Sequence, residues 1–139
     1  MKDKLIIKLA DLKGQISTIE QKIKIDQDGK NVIFCKNVFP EMLKYIEENY
    51  NLNANKIIGR SRKMKIKTIR NFLILAILEN KRFYITLKNL GILFNFRDHT
   101  TILNAKQSAL NFITTDEGDL FEYNLILNYL DKLYNQYNF

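Results

Sequence analysis

The amino-acid sequence predicts an all-α protein of 139 residues. Two observations support this fold class. Apolar residues recur every three or four positions over long stretches, which is the spacing of one face of an α-helix. Proline and glycine, which interrupt helices, are rare, with one proline and five glycines in the chain. We therefore expect a compact helical domain with a helix-turn-helix, flanked by amphipathic N- and C-terminal helices.

Residues 1–38 predict an amphipathic helix followed by a linker. Six aliphatic residues form a heptad-like seam: Leu5, Leu9, Leu12, Ile16, Ile19 and Ile23. A second interpretation stays open for residues 16–36. Asp28-Gly29 is a turn signal, and apolar residues alternate with polar ones on both sides of it, at Ile23 and at Val32. That pattern is typical of a short β-hairpin.

Residues 39–113 predict the helical domain itself. A helix over 40–50 starts at a proline, which suits the first helical position. A short helix over 54–58 ends before Gly59, since glycine commonly follows a helix. A long helix over 65–79 is apolar nearly all round in its second half, which predicts a buried, central position.

A helix-turn-helix is predicted next. Thr86 can cap a short helix that ends near Phe94. A break at Asn95-Phe96 follows, and a second helix runs from 97 to about 113. A short helix, a tight break and a second helix are the elements of this DNA-binding motif.

Residues 114–139 predict a C-terminal amphipathic helix that opens with acidic residues. Its seam consists of Leu120, Tyr123, Leu127, Leu130, Tyr134 and Tyr137. The two terminal seams either pack within one chain or join two chains into a homodimer. Both alternatives stay open at this point.

Positive charge is concentrated in the middle of the chain. The net charge is +7; residues 56–82 hold nine basic residues and one acidic residue, whereas residues 114–139 hold five acidic residues and one basic residue. A basic stretch between balanced or acidic flanks is typical of a surface that binds a polyanion. The alternative is a solvated, lysine-rich helix face.

Other classes of function lack the residues they need. The sequence contains neither a P-loop nor a GxGxxG motif, so no nucleotide is expected. Cys35 and His99 are the single cysteine and the single histidine, which leaves no multi-cysteine zinc site and no nucleophile–base pair. No apolar run is long enough to cross a bilayer. We expect no catalytic residues, no metal, no cofactor, no membrane association and a cytoplasmic location.

The start of the second helix of the motif carries the residues suited to reading DNA. Arg97-Asp98-His99-Thr100-Thr101 places short polar side chains in the turn that meets base edges in the major groove. A threonine methyl can pack on a thymine methyl, and a hydroxyl can bond a phosphate. The alternative is an ordinary polar helix start.

The run Arg97-Asp98-His99-Thr100-Thr101-Ile102 resembles the signature of the C-terminal DNA-binding domain of the bacterial chromosomal replication initiator DnaA. Further segments are similar in the same order: 50–59 (YNLNANKIIG) to its first short helices, 60–63 (RSRK) to its basic loop, Arg70-Asn71 to an Arg-Gln pair on its long helix, and 86–94 (TLKNLGILF) to the first helix of its motif. The resemblance covers about half of the chain, residues 39–112.

The resemblance implies roles for particular residues. Asp98, His99, Thr100 and Thr101 would read bases in the major groove, and Arg62 would enter the adjacent minor groove. Arg70 would touch phosphate. Charge and hydroxyl chemistry predict further phosphate contacts from Arg60, Lys63, Lys65, Lys67, Thr86, Lys88 and Arg97.

The chain departs from the family at two points. Asn95-Phe96 stands where the family has a glycine pair, and Lys88 stands for a base-contacting proline. No nucleotide-hydrolysing domain is expected, because these 139 residues contain no nucleotide-binding motif. We expect a sequence-specific binder of double-stranded DNA that regulates replication or transcription at initiator-like boxes in the bacterial nucleoid. The alternatives are a protein-interaction module on a retained helix-turn-helix scaffold, or a metal-dependent nuclease.

Overall fold

The computed structural model describes residues 29–80, 85–95 and 97–137, and every regular element within these ranges is helical. The prediction of an all-α fold is therefore confirmed. The helices are α1 (Phe39–Tyr50), α2 (Ala54–Ile58), α3 (Met64–Glu79), α4 (Leu87–Leu93), α5 (His99–Thr115) and α6 (Glu117–Gln136). The predicted N-terminal seam, Leu5 to Ile23, lies outside the described residues.

The chain is already helical before α1. Residues 29–33 are helical, and a π-type turn, Phe34–Val38, connects them to α1. The hairpin interpretation is therefore wrong for Val32 and Phe34. Its apolar alternation is too short to distinguish strand from helix, and burial decides the outcome, because Phe34 and Val38 are completely buried as helical residues.

The predicted helix start at Pro40 is also wrong, because the helix begins upstream of it. A proline inside a helix has no N–H to donate, and its ring collides with the carbonyl four residues earlier. The wider π-type turn lies directly before this position, where the N–H of Phe39 donates to the carbonyl of Phe34. The extra residue in the turn accommodates the proline ring.

Helix α3 forms the centre of the core, as its sequence predicts. It packs against α2, α5 and α6, and residues 71–77 are all buried. Leu90 of α4 and Ile102 of α5 are fully buried in the same core. The helix-turn-helix is thus seated on an apolar platform that fixes its position.

Helix α6 packs on its own chain, against α3 and α5. Its buried residues are Tyr123, Ile126, Leu130, Leu133 and Tyr134. The predicted seam is therefore shifted: Leu120 is 41% exposed and Leu127 is half-buried, while Ile126 and Leu133 take part instead. The buried face of α6 thus contacts helices of its own chain, and its predicted partner seam lies outside the described residues.

Candidate nucleic-acid interface

Both helices of the helix-turn-helix begin at a side-chain cap. The hydroxyl of Thr86 accepts a hydrogen bond from the N–H of Asn89 at 3.1 Å, which confirms the predicted cap of α4. The carboxylate of Asp98 accepts one from the N–H of Thr101 at 2.8 Å. This second cap places the start of α5 at His99, two residues later than the sequence predicts. Each cap satisfies an N–H that would otherwise lack a partner.

The turn between α4 and α5 requires two unusual backbone positions. Asn95 adopts a left-handed conformation with φ of 66°, which asparagine tolerates better than most residues. Gly91 lies against the chain that leads into α5, and the N–H of Arg97 donates to its carbonyl at 2.9 Å. A Cβ atom at Gly91 would lie 2.1 Å from the carbonyl oxygen of Arg97. Only glycine allows this approach.

Two arginines hold the backbone around the basic loop, residues 60–63. Arg70 of α3 is 5% exposed, and its Nε donates to the carbonyl of Ile57 at 2.7 Å. Its Nη2 donates to Lys56 at 3.1 Å and to Ser61 at 3.0 Å, both backbone carbonyls. These bonds join the end of α2 and the start of the loop to the central helix. Guanidinium geometry suits such a set of divergent acceptors.

Arg97 makes the second set of bonds. Its Nη1 donates to the carbonyl of Ile58 at 2.9 Å, and further bonds run to the carbonyls of Phe94 and Gly59. Arg97 thereby connects the turn of the helix-turn-helix to the same stretch of backbone that Arg70 holds. We call these two residues the arginine clamp.

The structure corrects the expectation that Arg70 contacts phosphate. Its side chain is buried, and the three bonds to carbonyls use both Nε and Nη2. Burial, followed by the nearby charge of Arg97, lowers the pKa of Arg70 to about 10. Burial, followed by Arg60, also lowers the pKa of Arg97. Both groups remain charged at neutral pH and add to the positive potential of the surface.

A cleft of about 630 Å³ brings the basic loop and the start of α5 together. Five cationic residues line it: Arg60, Arg62, Lys67, Arg70 and Arg97. Asp98 is the one carboxylate among the described lining residues, and Thr101 lies beside it. A cluster of cationic side chains with few neighbouring carboxylates creates a positive potential that attracts a polyanion.

The other predicted site residues lie outside this cleft, and Lys65 lines a second cleft together with Asp119 and Glu122. His99 and Thr100 are exposed on the first turn of α5. The remaining four are also exposed and do not line the cleft: Lys63, Lys65, Thr86 and Lys88. The first two follow the loop into α3, and the last two lie at the start of α4.

Sequence reasoning missed four polar residues of the cleft, namely Ser61, Asn71, Asn104 and Ser108. Asn104 and Ser108 follow Thr101 at spacings of three and four, which places them on the same side of α5. That spacing was a usable signal. No local pattern marks Gly91, because the backbone that it approaches, at Arg97, lies beyond the end of its own helix.

The described residues contain no cluster of three or more His, Cys, Asp or Glu side chains able to hold a metal ion. Within the same ranges, no helix is both long enough and apolar enough to span a bilayer.

Comparison with known proteins found no matching family model, no matching curated protein and no matching solved structure. The resemblance to the DnaA domain therefore depends on the quoted residues alone.

Proposed function

We propose that this protein binds double-stranded DNA in a sequence-specific manner. The observation that supports this most directly is the cleft that joins the basic loop to the start of α5, with five cations against one carboxylate. Duplex DNA is a polyanion, and its phosphates supply most of the binding free energy of such surfaces. Base edges in the grooves supply the sequence preference.

In this proposal each element enters one groove. The first turn of α5, with Asp98, His99, Thr100 and Thr101, enters the major groove, where every base pair has a distinct pattern of donors and acceptors. Arg62 on the basic loop enters the adjacent minor groove. The sugar-phosphate backbone of the DNA that separates these two grooves lies along the cleft.

Phosphate contacts come from residues around the two groove readers. Arg60, Lys63, Lys65 and Lys67 lie on or next to the basic loop, and Thr86 and Lys88 lie at the start of α4. Arg97 and Arg70 contribute charge through the cleft, while their donors hold the backbone. The biological role we propose is regulation of replication or transcription at boxes like those of the initiator, in the bacterial nucleoid.

Selection of bound duplexes from a random pool at moderate salt tests this proposal. We expect enrichment of a short box, with affinity that falls steeply as salt is raised. One asymmetric box indicates a monomer, whereas paired half-sites at fixed spacing indicate a homodimer. Failure to enrich any duplex, or binding that does not depend on salt, would refute the proposal.

The variant His99→Ala tests base reading. We expect specific binding to weaken by about 1–3 kcal/mol more than non-specific binding, the usual contribution of a base-edge contact. Asn128→Ala, an exposed polar residue on α6, is the matched control and should leave both unchanged. Equal losses on all duplexes would exclude a base-reading role for His99.

One observation favours a second candidate function, a protein-interaction module. Phe121 on α6 is 63% exposed, and Leu120 and Leu125 beside it are 41% and 38% exposed. An apolar stripe of this kind is typical of a contact with another protein. This alternative gains support if no duplex is enriched and if the protein associates with another protein in a salt-insensitive way that Phe121→Ser abolishes.

A further inference from the structure

The outward face of α5 extends well beyond the turn that carries the predicted base-reading residues. The exposed residues of its first three turns, after His99, include Thr100, Leu103, Asn104 and Gln107. They are spaced three and four apart, so they form one face, opposite the buried Ile102 and Ala109. A helix that enters the major groove with its first turn also brings this face toward the bases.

This face carries no charge. Helix α5 contains one lysine and no carboxylate, and that lysine, Lys106, pairs with Glu79 of α3 at 3.7 Å. The side chains that point outward are hydroxyl, amide and aliphatic. They are therefore suited to base edges rather than to phosphates, which are left to the basic loop.

Leu103 is the one aliphatic residue in this group, and it is 44% exposed. In the major groove, the thymine C5-methyl group is the apolar partner available to such a side chain. Leu103 lies three residues beyond Thr100, which is about 4.5 Å along the helix axis at 1.5 Å per residue. That distance is between one and two base-pair steps of about 3.4 Å.

Asn104 is exposed beside Leu103 and also lines the cleft. A carboxamide can donate to N7 and accept from the N6 amino group of one adenine, and this pairing is specific for adenine. A thymine methyl group and the edge of an adenine both belong to an A·T base pair.

We propose that Leu103 and Asn104 are specificity-determining residues that read A·T base pairs next to those read by the first turn of α5. Leu103 packs on a thymine methyl group, and Asn104 bonds the N6 and N7 atoms of an adenine. This inference rests on the proposed DNA-binding function and adds to it the identity of the adjoining base pairs.

The test replaces single thymines of the selected box by deoxyuridine, which removes only the methyl group. We expect the wild-type protein to lose about fourfold in affinity at one position, the effect of one buried methyl-sized group. Leu103→Ala should bind the original box about as weakly as wild type binds the altered one, and it should not respond to deoxyuridine there. Val32→Ala, at an exposed aliphatic residue in the helical segment before α1, is the matched control and should behave as wild type.

Asn104 is tested in the same way with 7-deazaadenine, which lacks the N7 acceptor. We expect a loss of about fivefold or more for wild type and none for Asn104→Ala. If a box is enriched and depends on His99, but neither variant changes the response to these bases, the inference is wrong and the proposed function stands. If no box is enriched, both fail.

Discussion

The substitution Gly91→Ala tests the geometry on which the site depends. The added Cβ would lie 2.1 Å from the carbonyl oxygen of Arg97 and 3.2 Å from its carbonyl carbon. Both are backbone atoms, so the chain that enters α5 must move. The movement also breaks the bond from the N–H of Arg97 to the carbonyl of Gly91.

Three contributions determine how far Gly91→Ala changes the free energy of unfolding. Overpacking costs about 1–3 kcal/mol, and the lost hydrogen bond costs about 0.5–1.5 kcal/mol. Alanine is the better helix former by about 1 kcal/mol, which offsets part of this cost. We expect the free energy of unfolding to fall by about 1–3 kcal/mol, and specific DNA binding to fall further because α5 shifts relative to the basic loop.

The assay is unfolding in urea, monitored by the far-ultraviolet circular dichroism signal of the helices. The control is Gln136→Ala, at an exposed position in the last turn of α6. This control should stay within about 0.5 kcal/mol of wild type, as expected for a surface change. Equal stability of the two variants would refute the close approach of Gly91 to α5.

Four further predictions follow from the same contacts. Arg70→Met should lower the free energy of unfolding by about 2–4 kcal/mol, since it leaves buried carbonyls without donors. Lys67→Ala should lower the salt slope of DNA binding by about one, the effect of losing one phosphate contact. The hydrogen bond from the backbone N–H of Thr101 lowers the pKa of the Asp98 carboxyl, so the stability that this cap provides should be complete above the ordinary pKa and lost as pH falls through the lowered one. Urea unfolding of Asp98→Ala and wild type should therefore differ at pH 7, and the difference should shrink as the solution is acidified below pH 3.8. Tyr50→Phe removes a bond of 2.6 Å to Glu122 and should cost about 1 kcal/mol without changing DNA affinity, as measured by titration of the selected box.

Features that depend on neighbouring residues were predictable from the sequence. Thr86 caps α4 through a bond that spans three residues, and Asn95 adopts the left-handed conformation that its side chain tolerates. The burial of α3 follows from an apolar run with no polar face. In each case the physical cause lies within one or two turns of the residue itself.

Features that depend on distant partners were not predictable. Arg70 donates to a carbonyl 13 residues away, and Arg97 donates to one 39 residues away. Nothing in the local sequence distinguishes an arginine that binds backbone from one that binds phosphate. The predicted seam of α6 was shifted for a related reason. Leu127 and Ile126 are equally apolar, and only the packing against α3 and α5 determines which of them is buried.

The helix that continues across position 38 has a consequence for dividing the protein. A fragment that begins at 39, the boundary expected from the resemblance, would discard Phe34 and Val38, both completely buried. It would also expose the ring of Phe39, which contacts Phe34 at 6.0 Å between ring centroids. Excision at that point would leave a gap in the apolar core of the helical domain. A minimal folding unit must therefore include at least Phe34 and the rest of the turn before α1.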